Sequence, residues 1–466
     1  MDASTRFDTQ VVGAMPVIAN YFDRMEMAAT IDELVPWEGE VSLGALIEVL
    51  VLNRLLNPKA MFRIGDWAEK SAATDYFGLT AEQLNDDRLG RALERIAAHG
   101  DDVQAALVMK AVNAFDLDIS QIHYDITTIE LFGSYDCEDA VTPPQPLPSY
   151  GHTKSGRKNV KQLQQGLSVA GDGGVPISHL PLSGNESESK THLENLKKLE
   201  KTVGKSAFLY IADTKLDTPQ NLCQIYARKG KFLCGGAFQP KLKEQCLSLQ
   251  RKFCKINYCS NSQRDWPAEK RDAYKGTEVE DVVESEVDGR LVRLKYRLIY
   301  IWSERRARDQ AKTRERHVKR IQEEFEKIKR NLNKYSLTSK EAIVRRLEKA
   351  KGMYSEGDFF DYELRQRNGK FSLAFKLDSK KVSRRKKIEG VFVLKTNLAR
   401  STYPLSRLLE LYRDQNCVER RFGDLKGRLA VSPMFLKKPE RMAGLLYVLV
   451  WALMVMSLME RSVRKE

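Results

Sequence analysis

The sequence lacks the cysteine spacings of small metal-binding modules. Its seven cysteines, at positions 137, 223, 234, 246, 254, 259 and 417, form an odd set with no CxxC pair and no Cys/His finger spacing. This pattern argues against a zinc ribbon, and reduced thiols in a cytosolic protein are the simplest interpretation. The amino-terminal residues MDASTRFDTQ lack a basic segment followed by an apolar core, so no secretory signal is predicted.

Basic residues are scarce at the start of the chain and abundant in its middle. Residues 1–118 contain 10 Lys/Arg against 20 Asp/Glu, a net of −10, whereas residues 238–390 contain 40 against 24, a net of +16. The 466 residues together carry a formal charge of +14, with a sequence pI near 9.2. A chain of this length forms two to four domains, and its charge favours a polyanionic partner.

Long uncharged stretches are also rare, but one lies near the carboxyl terminus. Met442 to Met459, MAGLLYVLVWALMVMSLM, are 18 residues without a charge, which meets the length threshold for a membrane span. The alternative is a core helix that is hydrophobic all round because it is buried all round. The stretch follows the predicted helix YRDQNCVERRFGDLK by a short link, so we favour the buried helix and expect no membrane contact.

Three acidic residues stand out from the general charge. Asp125 lies in QIHYDITTIELFG, where alternation and β-branched residues predict a strand. Asp213 ends FLYIAD, an apolar run of strand length, and the carboxyl ends of such strands are where open α/β sheets bind ligands. Glu419 lies in YRDQNCVERRFGDLK, which we expect to be one continuous helix that projects Tyr412, Glu419 and Lys426 from one face. A salt-bridge network is the alternative for this helix alone, but three acids can also converge on divalent metal ions.

These segments resemble the DDE transposases of bacterial insertion sequences. The resemblance is to the branch with a Tyr-Arg-Glu-Lys signature, insertion-sequence family four and its sixteen-thirty-four relatives. Tyr412, Glu419 and Lys426 stand at the signature spacings, and Gln415 occupies the Arg position. Similarity extends to GHTKSGRKNVKQLQQGLSV with LSGNESES, to VFVLKTN and to RLAVSPMFLKKPERMAGLL.

The resemblance implies an α/β fold with a ribonuclease-H-like catalytic core. A helical amino-terminal domain, 1–118, would serve end recognition or assembly. The core would comprise 119–237 and 391–466, interrupted by a basic α+β insertion, 238–390. Within 1–118 we predict one helix over 42–56 capped by Ser42, another over 86–100 closed by Gly100, and a third after it.

The resemblance also implies the activity and its partners. Asp125, Asp213 and Glu419 would be catalytic and would bind two Mg²⁺ ions, with Mn²⁺ as a substitute, for DNA cleavage and strand transfer. The partners would be double-stranded DNA, as element ends and target, and a second copy of the chain in the DNA complex. We expect a bacterial cytoplasmic, nucleoid-associated protein. A ribonuclease-H-like nuclease and a noncatalytic DNA-binding derivative remain the alternatives.

Twelve residues are predicted to contact DNA: the resemblance implies this role for Tyr412 and Lys426, and the ten others are basic residues near the acids or in basic runs, with a solvated loop as the alternative for Lys154, Arg157 and Lys158. They are Tyr412, Arg413, Arg420, Arg421, Lys426, Lys154, Arg157, Lys158, Arg384, Arg385, Lys386 and Lys387. The charged helix after RLVRLKYRLIYIW carries an apolar stripe, which permits either a coiled coil or a solvated helix with one packed edge.

Overall fold

A nine-stranded mixed sheet organises the chain. The computed structural model describes residues 9–133, 135, 145–151, 156–157, 159–204, 208–432 and 434–465. The strands are β1 (Gln121–Leu131), β2 (Lys161–Ala170), β3 (Pro176–Ser183), β4 (Leu209–Ala212), β5 (Lys231–Gly236), β6 (Cys254–Ile256), β7 (Tyr274–Val287), β8 (Arg290–Ser303), β9 (Phe360–Arg367), β10 (Lys370–Leu377) and β11 (Val391–Thr396). The large sheet has the order β3-β2-β1-β4-β5-β11-β8-β7-β6, and β9 and β10 form a separate hairpin.

Helices cover both faces of this sheet and form the amino-terminal region. They are α1 (Met15–Arg24), α2 (Met27–Leu34), α3 (Leu43–Leu56), α4 (Ile64–Lys70), α5 (Ala73–Phe77), α6 (Asp86–Phe115), α7 (Glu188–Val203), α8 (Pro219–Ala227), α9 (Pro240–Ser248), α10 (Glu304–Arg330), α11 (Lys340–Lys351), α12 (Ser379–Lys386), α13 (Leu405–Arg413), α14 (Asn416–Lys426) and α15 (Pro439–Lys465). The α/β class expected from the sequence is confirmed.

The first five strands form a compact half of the sheet. β1, β2 and β3 are antiparallel neighbours, and β4 and β5 run parallel to β1. Gly173 and Gly174 in the turn between β2 and β3 have φ angles of 81° and 66°, a conformation that glycine adopts without strain. The crossovers to β4 and β5 contain α7 and α8, as parallel pairing requires.

The last four strands of the order extend this half sheet. β11 pairs with both β5 and β8, and β7 and β6 follow β8. Residues 254–303, which the sequence assigns to an insertion, therefore lie largely in the central sheet. A separate apolar core is found only further along, where α10 and α11 pack with β9 and β10. The domain limits stay a prediction, but this core indicates that the independent part of the insertion begins near α10.

The apolar stripe of α10 is used within the chain. Ile321, Phe325 and Ile328 are buried in a cluster with Ile343 and Leu347 of α11. The Phe325 ring also contacts the rings of the β9–β10 hairpin. This packing favours a helix with one packed edge over a coiled coil.

The amino-terminal helices are confirmed at 42–56 and corrected after residue 86. Ser42 accepts a hydrogen bond of 3.1 Å from the Ala45 amide and caps α3 as predicted. The helix predicted to end at Gly100 does not end there, because α6 runs unbroken from Asp86 to Phe115. A Cβ at Gly100 would lie 2.6 Å from the Tyr447 ring, so this glycine permits close packing against α15. The third predicted helix is the second half of α6.

The apolar stretch near the carboxyl terminus is a core helix. α15 is long and apolar enough to cross a membrane by composition, but 89% of its most apolar window is buried inside the protein. It contacts α6, α3, α14 and β3. Its few polar groups are paired: Trp451 donates to Gln104 of α6 at 2.8 Å, and Arg461 donates to the carbonyl oxygens of Phe115 and Asp116.

We predict that Leu449→Lys strongly lowers the free energy of unfolding. Leu449 is fully buried, and an unpaired buried charge costs about 3–5 kcal/mol. Val463→Lys is the matched control, because Val463 lies on the same helix with 74% of its surface exposed. Urea unfolding of the two purified variants compares their free energies of unfolding. Equal values would show that α15 is not a core helix.

Three histidines are buried in the core around β1 and β3. Burial lowers the pKa of His123 and of His192 to about 4, and burial together with Lys198 lowers that of His179 to about 3. His192 lies 3.2 Å from the Tyr210 hydroxyl, and His179 lies 2.8 Å from the Gln165 amide. Each ring is therefore neutral in the folded chain at neutral pH.

These pKa values predict a loss of stability in mild acid. Between about pH 6.5 and pH 4 the unfolded chain binds protons that the folded histidines do not, so the free energy of unfolding falls as the pH falls through this window. A His179→Gln/His192→Gln variant should lose less stability than the parent chain between pH 7 and pH 5 in urea unfolding. An identical pH dependence in both proteins would contradict the assignment.

Candidate active site

Two of the predicted acids lie side by side, Asp125 within β1 and Asp213 directly after β4. β1 and β4 pair in parallel, with His123 opposite Ile211 and Tyr124 opposite Ala212. The next residues in this register are Asp125 and Asp213, and adjacent strands are about 4.8 Å apart. Both aspartates are half-buried. The fold therefore brings Asp125 and Asp213 together at the carboxyl end of β4.

Each of these carboxylates is oriented by the backbone that follows it. Asp125 Oδ1 accepts from the Ile126 amide at 2.8 Å. Asp213 Oδ1 accepts from the Lys215 amide at 2.9 Å and caps a short 3-10 turn, Thr214–Leu216. One oxygen of each carboxylate thus has a backbone partner.

The segment around Glu419 is not one continuous helix. α13 ends at Arg413, a turn follows at Asp414 and Gln415, and α14 begins at Asn416. Tyr412 therefore lies on a different helix from Glu419 and Lys426, and the prediction that all three project from one helix face is wrong. Glu419 and Lys426 remain exposed on α14, whose opposite face is buried.

Gln415 fastens this helix junction to β1. Its Nε2 donates to the Tyr124 carbonyl oxygen at 2.8 Å, and its Oε1 lies 3.2 Å from His123 Nδ1. Because an amide oxygen only accepts, the neutral His123 ring must carry its proton on Nδ1. The residue that replaces the signature arginine is therefore a clamp beside Asp125. In the sequence, position 415 stood out only because it departs from the Tyr-Arg-Glu-Lys signature.

The clamp indicates where Glu419 lies. His123 and Asp125 are two residues apart on β1 and share the face that meets Gln415. Glu419 follows Gln415 by four residues, about one turn along the helix. The chain then runs along β1 in the same direction, because Ser432 donates to the Glu130 carbonyl oxygen at 3.2 Å. Glu419 is therefore carried on the side of the sheet where Asp125 lies.

The three acids nevertheless do not form a completed metal site. Within the described ranges, no group of three or more His, Cys, Asp or Glu residues is close enough to hold a metal ion. The two aspartates suit a hard cation because carboxylate oxygens are its preferred ligands. A third protein ligand would require Glu419 to approach them.

Tyr412 lies at the edge of β5, near Asp213. A Cβ at Gly235 of β5 would be 2.7 Å from its hydroxyl oxygen, and its ring stacks on Phe392 at a centroid distance of 6.4 Å. Burial, followed by the charges of Cys234 and Asp213, raises the pKa of Tyr412 to about 12. Tyr412 is thus a neutral hydrogen-bonding group beside the acids.

The predicted DNA contact of Arg421 is not supported by its position. Its side chain is 1% exposed, and it donates to the carbonyl oxygens of Gly173 and Gly174 at 2.7 and 2.9 Å. It also forms ion pairs with Asp424 and Glu460. These bonds occupy the guanidinium, so Arg421 anchors α14 to the β2–β3 turn and offers no free surface to phosphate.

The other predicted DNA contacts differ in their surroundings. Arg420, Lys386 and Lys387 are exposed, and Arg413 and Arg385 are half-buried. In α12, Arg384 forms an ion pair with Glu244. Arg157 is exposed, lies 3.8 Å from Glu130 and stacks over Phe132. Lys154 and Lys158 lie outside the described residues.

A large cleft beside these groups was missed from the sequence. It measures about 1020 Å³ and lies between the start of α14, the start of α10 and the segment 258–274. Arg305 and Arg306, the first arginines of α10, line it with Arg385, Arg413 and Arg420. The only sequence feature that marks this cleft is the ERR sequence directly after a strand. Nothing in that sequence indicates that α13 and α14 form the other wall of the cleft.

We predict that Gln415→Ala lowers the free energy of unfolding by about 1–3 kcal/mol, because it removes both clamp bonds and leaves buried polar groups unsatisfied. Asn416→Ala is the control, since Asn416 is the exposed neighbouring residue. Urea unfolding of both variants measures the difference. A loss no larger than that of Asn416→Ala would contradict the clamp.

Comparisons with known proteins identify a family match over part of the chain and distant structural likenesses. Residues 7–108 match the model of a family described as a domain of unknown function, DUF4277. No curated protein matches the chain. A cryo-EM structure of the piggyBac transposase synaptic complex with hairpin DNA is similar over 96% of this chain and 76% of that chain, with 9% identity and a TM-score of 0.42. That likeness is too distant to support an argument about activity.

Proposed function

We propose that the chain is a DDE-type DNA transposase that cuts and joins DNA with Asp125, Asp213 and Glu419. The observation that carries the proposal is the register of β1 and β4, which makes Asp125 and Asp213 neighbours, together with the Gln415 clamp, which holds the Glu419 helix on the same side. The carboxyl end of a buried parallel strand, where Asp213 lies, is where an α/β sheet binds its ligands.

The strand order supports a ribonuclease-H-like core for this proposal. Three antiparallel strands are followed in the sheet by two that run parallel to the first, in the order β3-β2-β1-β4-β5. The sequence resemblance to insertion-sequence transposases implies this core, with the first acid on its first strand. The Tyr-Arg-Glu-Lys branch is part of the proposal, with Gln415 as a clamp in the arginine position.

DNA as the substrate is supported by the distribution of charge. The segment 238–390 carries a net of +16, more than the whole chain. Both α12 and α14 carry exposed basic side chains, and α14 is the helix that contains Glu419. The binding of a polyanion by these groups would be favoured by the release of its counterions.

The chemistry requires that a weak nucleophile be activated and that charge on the leaving oxygen be neutralised. Mg²⁺ ions bound by the acids would supply both effects. The chain itself would contribute Asp125 and Asp213 as neighbouring carboxylates with one oxygen each oriented by backbone amides. Tyr412, neutral at physiological pH, would donate a hydrogen bond to a phosphate oxygen or a base near Asp213.

Glu419 must come closer to the aspartates for this site to be complete. The helix that carries it is exposed at Glu419 and is held at its start by Gln415. We propose that DNA binding brings Glu419 in, that two copies of the chain act together on the element ends, and that the protein works in the bacterial cytoplasm on nucleoid DNA.

We predict that Asp125→Asn, Asp213→Asn and Glu419→Gln each abolish Mg²⁺-dependent cleavage and strand transfer while leaving DNA binding within about twofold of the parent chain, since a carboxamide keeps the shape and loses the charge that holds a metal. Asp265→Asn, at an exposed position, is the control. The assay combines radiolabelled element ends, a supercoiled target and an electrophoretic mobility shift.

Each outcome of this assay decides something specific. Near-normal strand transfer by any one of the three variants would remove that residue from the catalytic set. Cleavage by the parent chain without any joined product would favour a nuclease, and binding without cleavage would favour a noncatalytic DNA-binding protein.

A further inference from the structure

The cleft beside α10 contains a cluster of arginines that lack counter-ions. Arg305 and Arg306 come from α10, Arg385 from α12, and Arg413 and Arg420 from α13 and α14. None of the five forms an ion pair with a carboxylate in the part of the chain that the structure describes. Arginines on three separate parts of the fold therefore face one space about 1020 Å³ in size.

Arginines close to the cleft but outside the cluster do form ion pairs. Other inward-facing arginines nearby have carboxylate partners: Arg314 binds Glu389 at 2.7 Å, and Arg421 binds Glu460 at 2.9 Å. Even on the surface of α10, Arg308 pairs with Glu304. Five arginines without a carboxylate partner that line one cleft give a surplus of positive charge at one place.

The acids that border the cleft do not offset this surplus. Asp272 is occupied internally, because it accepts from the Ser303 hydroxyl at 2.7 Å and from the Arg305 amide at 2.8 Å. Glu356 is paired with His317 at 2.9 Å. Asp309 and Asp414 also line the cleft, so five arginines face two carboxylates that remain available.

Arg413 is held in place for binding. Its guanidinium lies 5.7 Å from the ring centroid of Tyr274 and 5.5 Å from that of Phe392, and it donates to the Tyr274 hydroxyl at 3.3 Å. Its Nε atom is buried and has no hydrogen-bond partner among the described residues. Contacts with two rings and a hydrogen bond restrict the guanidinium, and a restricted guanidinium suits the two-point recognition of phosphate oxygens.

The cleft continues toward the paired aspartates. A second cavity of about 470 Å³ is lined by Thr214, the residue after Asp213, and by Gly235 and Tyr412. The two cavities share Arg306, Gln310, Arg385 and Arg413 in their walls. The two cavities are therefore continuous, and the sugar-phosphate backbone of one DNA strand fits a path from the candidate active site to the arginine cluster.

We propose that this cleft binds the phosphate backbone of the DNA strand that leaves the candidate active site, with Arg305 and Arg306 of the inserted segment facing Arg413 and Arg420 of the catalytic segment. The inference rests on the proposed function for the identity of the ligand as DNA. It adds a binding site in which the inserted segment and the catalytic segment contact the same DNA strand.

The test measures how DNA affinity depends on salt. Each phosphate neutralised on a duplex contributes about 0.9 to the slope of log affinity against log salt concentration. We expect Arg305→Gln/Arg306→Gln to reduce the slope by about 1.8 and Arg385→Gln to reduce it by about 0.9, measured by fluorescence anisotropy with a labelled duplex of about 40 base pairs. Arg308→Gln is the matched control, because it removes a paired arginine from the same helix and should leave the slope unchanged.

Folding does not confound this test. Arg305, Arg306 and Arg308 are all exposed, so the thermal midpoints of the variants should match that of the parent chain. A slope equal to the parent's in both cleft variants would overturn the proposal, and so would an equal fall in Arg308→Gln.

The cleft and the proposed function can fail separately. If Asp125→Asn abolishes cleavage while the cleft variants keep the full salt slope, the transposase proposal stands and the cleft proposal falls. If the cleft variants lose slope while Asp125→Asn cleaves normally, the cleft is a DNA site and the catalytic assignment is wrong.

Discussion

The burial of α15 constrains the rest of the structure. A helix with apolar side chains on every face cannot lie at a surface, so other elements must cover it on all sides. α6, α3, β3 and α14 do this, and the polar groups of α15 bond inward to Gln104 and to the end of α6. The amino-terminal helices and the Glu419 helix therefore share one apolar core with the sheet.

This shared core explains how acids that are distant in sequence are brought into register. Asp125 and Asp213 are neighbours because β1 and β4 pair in parallel, and the paired strands hold their spacing. α14 is added to this frame by two contacts of different kinds, the Gln415 clamp on β1 and the Arg421 bonds to the β2–β3 turn. Both hold the backbone of α14 and leave the Glu419 side chain exposed.

The sequence predicted the parts of this arrangement that depend on local pattern. Strand alternation located β1, and the uncharged stretch located α15. It failed where a residue serves a distant partner. Gly100 has the chemistry of a helix end but lies against Tyr447, and Arg421 has the chemistry of a phosphate contact but is buried against Glu460. These partners lie outside the local sequence, Glu460 at 39 residues from Arg421 and Tyr447 still further from Gly100, so local spacing contains no information about them.

The same limit applies to the helix break at Asp414 and to the cleft. A continuous helix from Tyr412 would have carried the tyrosine and Glu419 on one face, whereas the turn sends Tyr412 to β5 and leaves Gln415 to contact β1. The helices on either side of that turn carry Arg413 and Arg420, which face the cleft. In the proposed enzyme, a phosphate bound between these arginines and α10 would contact both helices on either side of the turn. Gln415 holds the turn to β1, so such a contact would shift the position of Glu419 relative to the aspartates. Substrate binding and completion of the acid site would then be one event.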